Sequence, residues 1–406
     1  MTPVSYLLDI SRLLARADYA VPTGIDRVEL SYAQYLLTHK REQSYFCAMH
    51  PVGIAGGIPT PLAEEMIEAL AAKWGGSTVS TSASRLKRKI RRKILYSPLP
   101  KKPRMVHILV SHHHLTRPRV IRNILKRTGA KFVPILHDLI PLEYPEYARP
   151  GEPARHAVRV QTILDYAAGI IFPSHAVRDA FMPYMEKHSR QLPIGLVPLG
   201  VNVKKEEDLL PPTLACPLRP YFVCLSTIEP RKNHLLLLQA WRRLAEQLGD
   251  RAPVLVVIGK RGWENENIID LLDRCPSLKG HVLEYNELPD QDVIHLLKNC
   301  RALLFPTFSE GFGLPLAEAF SFDVPVLCSD IPVLREVGAG IADYLDPLDG
   351  PAWIEAIMDY TDDSKRRRDQ IDRIQSWKPF GWEKSIYKTL ESIENDLRCV
   401  DDREIL

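Results

Sequence analysis

The stretch Ala302-Leu-Leu-Phe-Pro-Thr-Phe-Ser-Glu-Gly-Phe-Gly-Leu-Pro-Leu-Ala-Glu-Ala-Phe-Ser-Phe-Asp-Val-Pro-Val-Leu-Cys328 places a short apolar run, a glycine-rich loop, an amphipathic segment and a second apolar run one after another. Residues 302–305 and 324–328 read as buried strands, and residues 316–320 open the helix between them. Strand, crossover helix and strand with short loops form a βαβ unit, and such units build parallel sheets covered by helices on both faces.

The alternation extends outward. Tyr221-Phe-Val-Cys-Leu225, Val254-Leu-Val-Val-Ile258 and Val282-Leu-Glu284 read as further strands, with helices over 235–248 and 290–299. The amino half repeats the rhythm, with strands over 5–9, 105–110, 132–136, 169–172 and 195–197. Between the halves, Lys204-Lys-Glu-Glu-Asp208 followed by Pro211, Pro212 and Pro217 has linker composition. The expectation is α/β: two Rossmann-like doubly wound domains, 1–212 and 213–380, with a ligand crevice between them at the carboxyl ends of the strands. A last helix over 381–406, with Ile386, Leu390, Ile393 and Leu397 at helical spacing, is expected to pack back on the amino-terminal domain. With 406 residues, 45% apolar and 25% charged, the chain exceeds one core, and disorder, collagen and coiled coil are excluded.

The formal charge of +3 hides a division. Residues 1–212 carry 30 Lys and Arg against 18 Asp and Glu, while residues 213–406 carry 23 against 32. Between Glu68 and Asp138 there are 17 basic residues and no acid. A basic amino half expects an anionic partner: membrane surface, phosphorylated substrate or nucleic acid. Seven cysteines without a Cys-x-x-Cys pair fit neither a disulfide framework nor a zinc site, so a cytoplasmic setting is the simpler reading. The opening Met1-Thr-Pro-Val-Ser-Tyr-Leu-Leu-Asp9 lacks a signal-peptide pattern, and no run approaches the roughly 20 apolar residues of a membrane span. Membrane contact is therefore expected to be peripheral. His112-His-His114 is not a metal site by this reading, because adjacent side chains diverge.

Two loops of the carboxyl half carry chemistry. In Glu229-Pro-Arg-Lys-Asn-His234, Asn233 can cap the following helix, leaving its amides and positive dipole end beside Arg231 and Lys232; this outlines a phosphate site, or else a solvated turn. In Ser309–Glu318, Gly311 and Gly313 permit close backbone approach, Pro315 suits the start of a helix, and Glu310 and Glu318 bracket the loop, the latter expected within the first helical turn. Carboxylates accept hydrogen bonds from sugar or ribose hydroxyls and helix amides hold phosphate, so the pair describes a nucleotide-sugar site.

Here the chain resembles the retaining glycosyltransferases of family 4, which share the GT-B fold. Glu310-x7-Glu318, with its internal Gly-Phe-Gly-Leu-Pro, is similar to the family's Glu-x7-Glu signature, and the resemblance runs on through Asp323-Val-Pro-Val-Leu-Cys-Ser-Asp-Ile-Pro332, Leu334-Arg-Glu-Val-Gly338 and Asp343-Tyr-Leu-Asp-Pro347. It implies that Lys232 with Arg231 binds the donor diphosphate, that Glu318 holds the ribose and that Glu310 holds a hydroxyl of the transferred sugar. Gly311, Phe312, Gly313 and Leu314 would present amides to the sugar and distal phosphate. Gly259, Glu287 and Leu288 match positions lining the nucleoside pocket. Many members have Gly-Arg where this chain has Ser226-Thr227, a departure shared by a branch of the family that carries the Glu-Pro-Arg-Lys-Asn loop.

In the amino half, Pro22-Thr-Gly-Ile-Asp-Arg-Val-Glu29 looks like the family's first glycine loop, with Gly24 giving close approach and Arg27 reaching an anion. Ile135-Leu-His-Asp-Leu-Ile-Pro-Leu-Glu-Tyr-Pro145 resembles its His-Asp segment, which implies that His137 faces the donor sugar and Asp138 orients the loop. Arg85-Leu-Lys-Arg-Lys-Ile-Arg-Arg-Lys-Ile-Leu95, within the basic segment 85–104, spaces Leu86, Ile90 and Ile94 along one side of a helix, among cations that include Arg88, Arg91 and Arg92. Such a helix could lie on an anionic membrane with its apolar stripe inserted, or be a solvated cationic loop. A nucleic-acid partner is not expected, because no aromatic platform interleaves the cations.

The function implied is transfer of a hexose from a nucleotide-sugar substrate to a lipid-linked or polysaccharide acceptor in cell-surface glycan synthesis, with neither cofactor nor metal. The Glu-Pro-Arg-Lys-Asn loop resembles that of bacterial mannosyltransferases using GDP-mannose; UDP-sugars and deoxysugar nucleotides are the alternative donors. A nucleotide-sugar isomerase or phosphorylase, and a non-catalytic nucleotide-sugar or glycan-binding protein, are the rival classes.

Overall fold

A computed structural model describes residues 3–75, 82–202 and 211–401, with side chains to residue 395 in the last helix. The linker motif 204–208 lies outside the described residues. The chain divides into two compact units: Met1–Leu142 with Gly151–Gly200 and Phe380–Leu406, and Glu143–Pro150 with Val201–Pro379.

The first unit is built on β1 (Ser5–Asp9), β2 (Ser44–Met49), β3 (Ala55–Ile58), β4 (Met105–Leu109) and β5 (Lys131–Pro134), in the order β3-β2-β1-β4-β5, with only β3 antiparallel to its neighbour. Parallel bridges Phe132–Ala167 and Ile135–Ile171 continue this sheet to β6 (Ile170–Phe172), which pairs with β7 (Ile194–Leu196). β2 and β3 escape the sequence reading because Ser44, Gly56 and Gly57 interrupt their apolar pattern. The glycines have a steric cause: a Cβ on Gly56 would lie 2.1 Å from the carbonyl oxygen of Ile94, and one on Gly57 2.5 Å from that of Pro98. The terminal helix Trp382–Asp401 belongs to this unit, burying Ile386, Leu390 and Ile393, with Thr389 hydrogen-bonded to Tyr32 at 2.8 Å.

The basic helix corrects one expectation. Helix Ala83–Ile94 packs against helix Thr60–Trp74 and β3, and Leu86, Ile90 and Ile94 are 3%, 0% and 1% exposed. Its apolar stripe is core and is not available for insertion into a membrane. Periodicity shows that a stripe needs covering; it does not say what covers it.

The second unit holds six parallel strands: β8 (Tyr221–Leu225), β9 (Val254–Ile258), β10 (Val282–Tyr285), β11 (Leu303–Phe305), β12 (Val326–Ser329) and β13 (Asp343–Leu345), in the order β10-β9-β8-β11-β12-β13. All five residues of β9 are buried, as a strand covered on both faces requires. Helix His234–Leu248 lays Leu237, Leu238, Trp241 and Leu244 into a core shared with Phe222, Leu255, Trp353 and Tyr360. Winding reverses between β8 and β11, so their carboxyl ends open a crevice at the topological switch point. The loops entering it are those following these two strands.

Candidate functional site

After β8 the chain makes one 3-10 turn, Pro230–Lys232, and enters helix His234–Leu248 through Asn233 in the left-handed region (φ 56°). The expected cap is not formed. The Asn233 amide instead donates to the carbonyl of Pro347 at 2.9 Å, tying the loop to the segment beyond β13. After β11, the Phe308 amide donates to the carbonyl of Arg231 at 2.9 Å, and the Thr307 hydroxyl reaches that oxygen at 3.2 Å. Backbone bonds thus join the two loops before any charged group is considered.

Arg231, Lys232, Glu229 and Glu310 then form a buried ionic cluster. Lys232 Nζ donates to Glu310 Oε1, Arg231 Nη1 lies 3.1 Å from the same oxygen, and Arg231 Nη2 lies 2.8 Å from Glu229 Oε1. Burial lowers the Lys232 pKa, and the Arg231 charge lowers it further, against the pull of Glu310. Burial resists ionisation of Glu310, but Lys232 and Arg231 outweigh it and hold this carboxyl below the ordinary range. For Glu229 burial wins and its pKa is raised. Nothing in the loop's sequence singles out Glu229; its 4% exposure marks it as part of the cluster.

The glycine loop ends at Gly313, with φ 94°, immediately before helix Leu314–Ser321. A Cβ there would lie 2.7 Å from Leu334 Cδ2. Gly311, Phe312, Gly313 and Leu314 follow Glu310 directly, with Phe312 and Gly313 buried. Glu318 is the fifth residue of this helix, past the first turn where it was expected, and is half-buried. Across β8, Gly259 lets β9 turn against Ser226, whose carbonyl oxygen would lie 1.9 Å from a Cβ at that position. Beyond β10, Leu288 is half-buried, while Glu287 is exposed and pairs with Lys260 at 2.7 Å.

The remaining expected residues stand on the first unit. Gly24 opens helix Gly24–His39, where Thr23 and Asp26 form a reciprocal capping box and Asp26 pairs with Arg12 and Arg16 at 2.6 and 3.1 Å. Arg27 is half-buried on that helix. His137 is 6% exposed, and Asp138 Oδ1 accepts from the Ile140 amide at 3.3 Å, holding the turn that follows. Of the three consecutive histidines, His112 is half-buried, His113 exposed and His114 buried. Among the described residues no group of His, Cys, Asp and Glu is arranged to hold a metal ion, and no helix is long and apolar enough to cross a membrane.

Comparison with known proteins matches residues 215–377 to the family described as glycosyl transferases group 1. This region is similar to the glycosyl transferases group 1 domain. The region contains the whole β8 to β13 sheet and every member of the ionic cluster. O-antigen chain mannosyltransferase B of Escherichia coli is 35% identical over 173 residues, 42% of this chain and 45% of that protein. Serotype-specific mannosyltransferase WbdA of Escherichia coli is 27% identical over 259 residues, 60% of this chain and 31% of that protein. The chain thus spans less than half the length of these curated relatives. In fold, it resembles Anabaena Alr3699/HepE, with a TM-score of 0.63 at 12% identity, covering 97% of this chain and 100% of that one. The fold is accordingly GT-B.

Proposed function

We propose that this protein is a retaining glycosyltransferase that moves a hexose, with mannose from GDP-mannose favoured, to a hydroxyl of a lipid-linked or polysaccharide acceptor in cell-surface glycan synthesis. The observation that carries this reading is the Arg231, Lys232 and Glu310 cluster at the switch point of a domain similar to the group 1 glycosyl transferases. Mannose is favoured because the relatives reported above bear mannosyltransferase names.

In this reading the donor diphosphate displaces Glu310 as the partner of Lys232. Bond breaking between the anomeric carbon and the distal phosphate leaves negative charge on that phosphate, which Lys232, Arg231 and the amides of the 311–314 loop stabilise. Glu310, released, accepts a hydrogen bond from a sugar hydroxyl, and Glu318 does the same for the ribose. The acceptor oxygen bonds to the same face of the anomeric carbon, and its proton passes to the departing phosphate. On the first unit, considered by itself, His137 is assigned to a sugar hydroxyl, Gly24 and Arg27 to an anionic group, and Asp138 to orienting the histidine loop.

The basic amino-terminal unit is the docking side for an anionic membrane or phosphate-bearing acceptor, at the cytoplasmic face. Exposed Arg88 and Arg92, together with half-buried Arg91, supply charge beside Leu95 and Tyr96, which are 37% and 86% exposed. The deciding experiment is transfer from a panel of nucleotide sugars to a lipid-linked glycan primer, with the anomeric configuration of the product read by NMR. Inversion would overturn the retaining mechanism, and transfer only from a non-mannose donor would overturn the favoured sugar.

A further inference from the structure

We propose that His112 is a positioning residue for the proposed transfer reaction: its imidazole holds the main chain of His137 where the β5 ladder ends. The inference rests on the reading that His137 works at the sugar.

The need for His112 follows from where the sheet runs out. The Ile135 amide donates to the carbonyl of Leu109 at 3.0 Å and the Leu136 amide to that of Ile171 at 3.0 Å, so the chain beyond β5 is still paired on alternate sides. The next amide, that of His137, leaves the ladder, and a buried N–H without a partner is costly. It donates instead to His112 Nε2 at 3.2 Å. The His137 ring is held from the same direction, with Nε2 2.6 Å from the carbonyl oxygen of Val110. Both anchors come from the few residues that follow β4.

These bonds fix the protonation of both rings. An amide can only donate, so His112 Nε2 must offer its lone pair and the neutral ring carries hydrogen on Nδ1. A carbonyl can only accept, so His137 Nε2 carries hydrogen and Nδ1 keeps its lone pair. Protonating His112 would remove the acceptor and release the His137 amide.

The surroundings resist that protonation. The His112 ring lies 5.5 Å from His137 and 5.6 Å, edge-on, from His156. His156 Nδ1 accepts from Arg159 Nη1 at 3.1 Å, and Arg159 is paired with Glu152 at 2.5 Å. Arg12 and Asp138 complete the charged groups acting on this cluster. Burial, then His137, His156, Arg159 and Arg12, push the His112 pKa well below the usual imidazole range. The bond to the His137 amide is therefore kept at neutral pH.

The test uses the full chain and two substitutions, His112→Met, which removes the acceptor, and His112→Gln, whose carbonyl oxygen reaches the same place but does not titrate. Hydrogen exchange read residue by residue should show the His137 amide losing protection in His112→Met, regaining it in His112→Gln, and Leu136 unchanged in both. In transfer assays kcat should fall at least about tenfold in His112→Met, with the donor KM little changed. His112→Gln should recover most of kcat and extend the acid limb of the pH profile to lower pH. Unchanged protection of the His137 amide in His112→Met, or a His112→Gln variant as impaired as His112→Met, overturns the proposal. Failure of the underlying reading looks different: Lys232→Met or His137→Ala would keep wild-type transfer, while the exchange result still decides the role of His112.

Discussion

The Lys232 ammonium is bonded to the Glu310 carboxylate across the switch point between β8 and β11, and the two side chains are only 11% and 10% exposed. A pair so enclosed is costly to break from one side, because the remaining charge has little water to turn to. It is also poised for exchange, since phosphate can replace the carboxylate and a hydroxyl can replace the ammonium. Two roles, one in stability and one in donor binding, therefore meet in the same atoms and need separate measurements.

Lys232→Met should destabilise the protein by about 3 kcal/mol, because it leaves the buried Glu310 carboxylate with Arg231 but without its ammonium partner, and adding Glu310→Leu should recover part of that loss. Transfer should be absent from the single and the double variant alike. Urea unfolding beside a transfer assay checks both statements. Recovery of activity together with stability would show that the pair is structural.

At Gly259 the constraint is steric. A Cβ 1.9 Å from the Ser226 carbonyl oxygen meets backbone, which cannot rotate away, so Gly259→Ala must part the loops that follow β8 and β9. The expected cost is at least about 2 kcal/mol, with weakened nucleotide affinity. Thermal unfolding with and without nucleoside diphosphate reads both; an unchanged melting temperature would contradict the close approach.

Helix Ala83–Ile94 separates core from charge. Ile90→Ala should cost about 3 kcal/mol, because a side chain 0% exposed leaves a cavity. Replacing Arg88, Arg91 and Arg92 by Gln should leave stability within about 0.5 kcal/mol for each exposed site. If the cationic face meets a membrane, the triple variant should sediment less with vesicles containing anionic lipid. Equal sedimentation of wild type and variant would remove that role.

A buried carboxyl in the first unit should make stability depend on pH. Burial, and then the neighbouring Asp9, push Glu29 up from 4.5 to about 8. A raised folded value means that the native state binds the extra proton, so this contribution is full below the unfolded pKa and is lost as pH rises through the folded one. Glu29→Gln mimics the protonated form. Its melting temperature relative to wild type should therefore climb as pH rises from about 4.5 to about 8 and then level off. A difference that stays flat across that range would contradict the shift.

What the sequence determined by itself is local. Apolar runs of strand length alternating with helical periodicity required a parallel α/β sheet, because only that arrangement covers both faces of such strands. The loops 229–234 and 309–318 were legible as a site for the same reason: glycine, proline and paired charges immediately after a strand combine close backbone approach with ionic groups at the ligand-binding end of the sheet. Tertiary structure decided what lies at long range. Nothing in the spacing of Leu86, Ile90 and Ile94 says that helix Thr60–Trp74 and β3 cover them. Nor does the sequence show that Glu229 joins the ionic cluster, that Asn233 spends its amide on Pro347, or that His112 takes the amide of His137, 25 residues away. Each of those outcomes depends on which buried donor lies within reach of which acceptor, a geometry that exists only once the sheet has brought its strand ends together.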